Sequence, residues 1–117
     1  MVGKWQVIYY KTASGDNPVS DFLDTLSPPT QSKLLRIFEN IVEYGLQSVI
    51  PHVKKLSGTP FWEIRILGQD NIRVIYVVPT QLRVLALHGF TKKSQKTPTK
   101  ELRIVSQRYS DYLYRIK

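Results

Sequence analysis

Two short stretches of this sequence carry side chains able to act on a phosphodiester. In Phe61-Trp62-Glu63-Ile64-Arg65 an acid and a base stand two residues apart, and in Ile72-Arg73-Val74 an arginine interrupts an apolar run. Side chains of an extended strand alternate between faces, so Glu63 and Arg65 share one face while Trp62, Ile64 and Ile66 share the other. By the same alternation Arg73 opposes Val74 and Tyr76, and His88 and Phe90 oppose Leu85 and Leu87. If the Trp62/Ile64/Ile66 side packs on helices, Glu63, Arg65, Arg73, His88 and Phe90 stand together on an open sheet surface. A basic loop over 91–96, with Lys92, Lys93 and Lys96, edges that surface, and Lys54 and Lys55 lie on a short extended segment before it.

Such a surface suits RNA, and cleaving RNA needs no metal, because the neighbouring 2′-hydroxyl is a built-in nucleophile. The protein has to help remove its proton, stabilise the charge growing on the phosphorane and assist the leaving 5′-oxygen. Preorganised cations serve the second task, and a carboxylate or imidazole serves the others. The residues alone support a basic, metal-free surface suited to RNA and do not by themselves identify a nuclease. Nearby cations should lower the pKa of His88 and so favour a base role for it at neutral pH. Phe90 would stack a base, worth about 1–3 kcal/mol, and Lys54, Lys55, Lys92, Lys93 and Lys96 would hold the RNA. Each residue taken singly also has a purely structural reading. Glu63 and Arg65 could form a surface ion pair worth ~0–1 kcal/mol, His88 and Phe90 could be packing residues, and the lysines could be a solvated loop.

Composition narrows the alternatives. The chain has 117 residues, of which 42% are hydrophobic, as expected for one folded domain over 1–117. No apolar run approaches the ~18 residues of a membrane span, and no apolar segment with a cleavage site follows Met1, so a cytoplasmic protein is expected. There is no cysteine, which removes disulfides, thiol catalysis and thiolate-zinc sites. With only two histidines and few carboxylates, neither a metal nor another cofactor is expected. The net charge of +8 is unevenly spread. Residues 1–50 hold four basic and five acidic groups (−1), residues 51–82 hold four and two (+2), and residues 83–117 hold nine and two (+7). A basic second half points to a polyanionic partner.

The elements that must position these residues follow from pattern. Lys4 to Lys11, rich in aromatic and β-branched residues, predicts a strand. Asn17 and Pro18 predict the cap and first position of a short helix ending near Leu26. A second helix over 29–44 is capped by Ser27, carries Leu34, Leu35, Phe38, Ile41 and Val42 on one face, and stops at Gly45. Extended segments are predicted at 53–56, 61–67, 72–78 and 82–90. A last helix over 98–116 carries the stripe Leu102, Val105, Tyr109, Leu113 and Ile116. The sum is an α+β domain: an antiparallel sheet of four to five strands packed against two N-terminal helices, with a C-terminal helix.

The ordered set Leu56-Ser57-Gly58, Glu63-Ile64-Arg65, Arg73-Val74-Ile75-Tyr76 and His88-Gly89-Phe90-Thr91-Lys92-Lys93-Ser94-Gln95-Lys96-Thr97-Pro98 resembles the phage-derived, HigB-like branch of the RelE/ParE toxin superfamily. The resemblance is strongest over residues 50–117 and implies a RelE-like fold. It implies the toxin of a type II toxin–antitoxin module, a metal-independent endoribonuclease that binds the ribosome and cuts mRNA there. Its partner would be a helix-turn-helix antitoxin, with operator DNA reached only through that antitoxin, and no membrane. Arg73 matches the family's phosphate-stabilising arginine, Arg65, Lys92 and Lys93 match basic positions, and His88 is nearest to its proton-transfer position; the resemblance thus implies Arg73 and Arg65 on the scissile phosphate and Glu63 or His88 in proton transfer. Several relatives end in a short catalytic tail, whereas this chain ends in a predicted helix holding Tyr109, Tyr112 and Tyr114. ParE-like members poison DNA gyrase without RNase activity, so a gyrase inhibitor is the alternative reading, as is a non-catalytic RNA- or antitoxin-binding remnant.

Overall fold

A computed structural model describes residues 4–66, 71–93 and 97–116. Strand β1 (Gln6–Tyr9) leads to helix α1 (Pro18–Asp24), which opens as predicted: Asn17 Oδ1 accepts from Ser20 N at 3.1 Å, with Pro18 at the first helical position. Helix α2 (Pro28–Tyr44) begins after Ser27, but the Ser27 hydroxyl donates to Thr30 Oγ1 rather than capping a backbone amide. It ends at Gly45, whose φ of 84° lies where a side chain would be strained and whose α-carbon closely faces the Trp5 ring. A 3₁₀ segment (Leu46–His52) then carries the chain to β2 (Val53–Lys55), β3 (Trp62–Ile66), β4 (Ile72–Thr80), β5 (Arg83–Thr91) and α3 (Thr99–Arg115).

These strands form one five-stranded sheet in the order β1-β5-β4-β3-β2. The α+β reading holds, with one correction: the sheet is mixed, because β1 runs parallel to β5 while all other pairs are antiparallel. Alternation encodes which face a residue takes but not the direction of its neighbour. Strand β1 reaches its place across the crossover made by α1 and α2, and such a crossover allows parallel pairing. Strand β4 runs on through Pro79, beyond the expected end at 78. A register shift between Val77 and Thr80 accommodates the proline, which has no amide to give the ladder.

The sheet is covered on both faces. Ile64, Ile66, Val74, Tyr76, Val84 and Ala86 meet Val19, Leu23, Leu34, Ile37, Phe38 and Ile41 of α1 and α2. Leu35, expected on this apolar face, is 39% exposed, and Ile37 takes the buried position. On the opposite face Phe61, Ile75, Val77, Leu85, Leu87 and Phe90 form a second core with Val105, and Leu102, Tyr109 and Tyr112 pack at its margin. Leu113 and Ile116 of the expected stripe are exposed, so the last turn of α3 leaves the sheet.

One irregularity governs the second face. Ile75 pairs with His88 but Tyr76 pairs with Ala86, so Leu87 is the extra residue of a bulge. Beyond it the alternation of β5 is reset, and His88 and Phe90 join Leu85 and Leu87 on the α3 side instead of opposing them. Gly89 then faces α1 at very close range: a Cβ there would lie 2.3 Å from the Phe22 ring. Gly89→Ala is expected to destabilise the fold by about 1–3 kcal/mol through overpacking. Phe22→Leu in the same chain should recover part of the loss, as read by urea unfolding. Equal losses in the single and double variants would contradict this close approach.

Candidate functional site

Strand register assembles the site residues in two rows. Lys54, Glu63, Ile75 and His88 lie side by side across β2, β3, β4 and β5, and the next row is Arg65, Arg73 and Phe90. Both rows belong to the α3 side by register, although Arg65, at the edge of β3 beyond the reach of β2, also borders α2. The face expected to be open is therefore occupied, because the stripe of α3 buries itself against its apolar members. Of the two rows only Lys54 is exposed, with Arg65 and His88 partly so, and Lys54 and Arg65 mark the end of the face near β2.

Glu63 organises that end. It is 0% exposed, and its Oε1 lies 3.3 Å from Arg73 Nε and 3.8 Å from Lys92 Nζ, both of these side chains being buried as well. Its Oε2 accepts a hydrogen bond from Thr97 Oγ1 at 2.7 Å. Arg73 Nη1 donates to Ile72 O at 3.1 Å, while Arg73 Nε and Glu63 Oε1 meet as charges without hydrogen-bond geometry. A single carboxylate is thus shared by two cations, with Arg65 beside Arg73 and the exposed Lys54 beside Glu63. The cluster keeps a surplus of positive charge. Glu63 gives its charge to Arg73 and Lys92 and its Oε2 to Thr97, so the geometry gives it a positioning task in place of the proton transfer expected of it.

His88 also departs from its expected role. Its Nε2 lies 3.2 Å from Glu101 Oε2 and its Nδ1 lies 3.1 Å from Arg108 Nη1, which also donates to Leu87 O at 2.8 Å. Since Arg108 can only donate, Nδ1 accepts and Nε2 carries the proton given to Glu101. The expectation of a lowered pKa holds, but burial is the larger cause; the Arg108 charge acts in the same direction, against Glu101. Both nitrogens are engaged by α3, so His88 fastens the helix to the bulge. Phe90, 7% exposed, stacks on the His88 ring with centroids 5.5 Å apart and is a core residue, not a free platform for a base.

The remaining basic residues diverge. Lys55 lies on the other side of β2, over the Trp62 ring at 5.9 Å, and bonds to Thr59 O. Lys93 is exposed just beyond β5, and Lys96 lies outside the described residues. Tyr109 packs edge-on against Phe61 and stacks with Tyr112, and Tyr114 is exposed. The contacts that sequence reasoning missed come from α3 and the approach to it: Thr97 before the helix, and Glu101 and Arg108 on it. Glu101 and Arg108 flank Val105 at helical spacing, so polar residues bordering an apolar stripe were the available signal. Among the described residues no group of three or more His, Cys, Asp or Glu could hold a metal ion, and no helix is long and apolar enough to cross a membrane.

With this geometry in view, the comparison with protein families places the chain. The model of the family described as Phage derived protein Gp49-like (DUF891) matches residues 21–110. The chain belongs to that family, and the matched span runs from α1 to the middle of α3. No curated protein matches the chain.

Two predictions follow from the ion pairs. Glu63→Gln should lower stability by about 3–5 kcal/mol, because Arg73 and Lys92 would lose their buried counter-charge. Adding Arg73→Met should restore part of it, and a single variant within about 1 kcal/mol of the native chain would contradict the buried-anchor reading. For His88 the folded state favours the neutral ring, so its contribution is present above the ordinary value of 6.5 and is lost as pH falls from there through the lowered folded value. The native Tm should therefore drop between about pH 7 and 5 more steeply than that of His88→Gln; parallel curves would remove His88 as the cause.

Proposed function

We propose that this protein is the toxin of a type II toxin–antitoxin module, a metal-independent endoribonuclease that cuts mRNA on the ribosome and so inhibits translation. The observation that carries this reading is the cationic cluster at the α3 end of the sheet. Arg73 and Lys92 are locked by one buried carboxylate, with Arg65 and Lys54 beside them. Family membership and the HigB-like ordering of the same residues support it.

In this reading the 2′-oxygen of a ribose attacks the adjacent phosphorus, the O2′–P bond forms and the P–O5′ bond breaks. The products are a 2′,3′-cyclic phosphate and a 5′-hydroxyl. The negative charge gathered on the phosphorane oxygens is met by Arg65 and Arg73, whose planar guanidinium groups can each contact two oxygens, and by Lys92 and Lys54. Because Glu63 holds two of these cations before substrate arrives, little reorganisation is needed as charge develops. The carboxylate and imidazole are committed to the protein, so water accepts the 2′-hydroxyl proton and supplies one to the 5′-oxygen. Translated mRNA supplies the extended strand, a helix-turn-helix antitoxin is the natural inhibitor, and the cytoplasm is where all three meet.

The test is brief induction in bacteria followed by mapping of new RNA 5′ ends. Ends confined to translated regions and in phase with codons are expected. They should fall about a hundredfold for Arg65→Ala, the loss seen when one charge-stabilising donor is removed. Arg73→Lys keeps the charge that balances Glu63 but loses the planar fork, so it should stay folded and also lose activity. Growth arrest without new ends would replace the nuclease with the gyrase-poison reading, and no arrest would leave a binding remnant.

A further inference from the structure

A second basic site lies around the edge of β3, on the α2 side of the molecule. There a cleft of about 450 Å³ is lined by Lys33, Arg36, Asn40, His52 and Arg65 over a floor that includes Ile37 and Ile66. Three of these come from one stripe of α2, since Lys33, Arg36 and Asn40 follow at three- and four-residue spacing. His52 ends the 3₁₀ segment, and continuing the register of β2 on β3 by one step sets it across from Arg65. No carboxylate lines the cleft.

Three features mark it as built for an anion. Among the described residues none of Lys33, Arg36, His52 and Arg65 has an ion-pair partner. Like charges three apart on a helix are unfavourable, yet Lys33 and Arg36 are placed so with no acid between them. Above all, Arg65 Nε is buried without a hydrogen-bond acceptor, and a buried donor left unmet is uncommon enough to need a cause. The volume falls within the range of small-ligand pockets and exceeds what a bare phosphate needs. The buried isoleucines give an apolar bed, and Asn40 offers a donor and an acceptor.

We propose that this cleft binds one nucleotide unit, its phosphate on Arg65, Arg36 and Lys33 and its base over Ile37 and Ile66 beside Asn40. Arg65 belongs both to this cleft and to the row shared with Arg73, so a strand crossing the β3 edge would meet both sites in turn. The identity of that strand as RNA rests on the nuclease reading, whereas the nucleotide chemistry of the cleft does not.

The test uses the full chain, a labelled single-stranded RNA hexamer and adenosine 5′-monophosphate. Hexamer affinity should fall about three- to tenfold in Arg36→Ala and in Lys33→Ala, and the slope of log affinity against log salt should shrink by about 0.7 for each. Lys100→Ala and Arg103→Ala, on the exposed side of α3, serve as controls. Adenosine monophosphate should compete with the hexamer and shift the backbone amides of residues 32–40, 52 and 65–66. Shifts there by the mononucleotide without hexamer binding would support the site and make a free nucleotide its source. If Arg36→Ala and Lys33→Ala match the controls with both probes, the proposal is overturned. Wild-type protein that binds here but produces no new RNA ends would sink the nuclease reading alone; cleavage without binding here would sink this one alone.

Discussion

Glu63 holds a full charge out of water, and the α3 side of the molecule is arranged around that fact. Removing a carboxylate from water costs several kcal/mol even after relaxation, and the cost is offset only by close counter-charges and hydrogen bonds. Here they reach the acid on β3 from three segments: β4 supplies Arg73, the residue after β5 supplies Lys92, and the approach to α3 supplies Thr97. Pro98, at the N-cap of α3, has no side-chain hydrogen bond of its own to give. The Glu63 carboxylate, one residue away through Thr97, supplies negative charge near the positive end of that helix. A single buried group thus fixes where the helix starts, and it aligns the two cations on which the proposed chemistry depends.

How much of this was legible depends on what alternation can and cannot encode. Glu63, Arg65 and Arg73 were assigned to one face, opposite Trp62, Ile64, Val74 and Tyr76, and they lie there because β3 and the first half of β4 keep strict period two. His88 and Phe90 were assigned to that face too, but by an argument that needed Leu85 and Leu87 on the other. The bulge at Leu87 reverses the parity after it, so the expectation met the right face for the wrong reason. A bulge inserts one residue with no compositional mark, and no count along β5 could have found it.

The expectation of an open face failed for a different reason. Leu102, Val105 and Tyr109 were read as an apolar stripe, and a stripe must be buried somewhere. With α1 and α2 filling one side of a five-stranded sheet, the other side was the remaining apolar surface of sufficient size. Carrying that step through would have placed α3 over Ile75, Leu85 and Leu87, and would have turned Phe90 from a stacking platform into core. Polar fasteners complete the attachment. Tyr10 donates to Asp111 at 2.6 Å, the bond that, ahead of Arg115, lowers the Asp111 pKa, and Arg108 reaches Leu87 O and His88. Such partners lie up to about a hundred residues apart in sequence, and only the folded chain shows them.

Charge was the least transferable of the signals. The segment 83–117 holds most of the positive excess, yet much of that excess does not gather at either basic site. Arg108 is turned inward to His88, Arg115 is paired with Asp111, and Lys100 and Arg103 sit on the exposed side of α3. The nucleotide cleft draws Lys33 and Arg36 from the first fifty residues, whose sum is negative, because Glu39 and Glu43 come later along α2 and line a different hollow, with Val7 and Tyr9, where Glu43 meets Lys4. A helix separates its charges by face, with a period of 3.6 residues, while a segment sum averages over every face at once. For this fold the useful quantity is the charge on each side of each element. On that measure the edge of β3 is cationic on both sides, with Arg73 on one, Lys33 and Arg36 on the other and Arg65 between them.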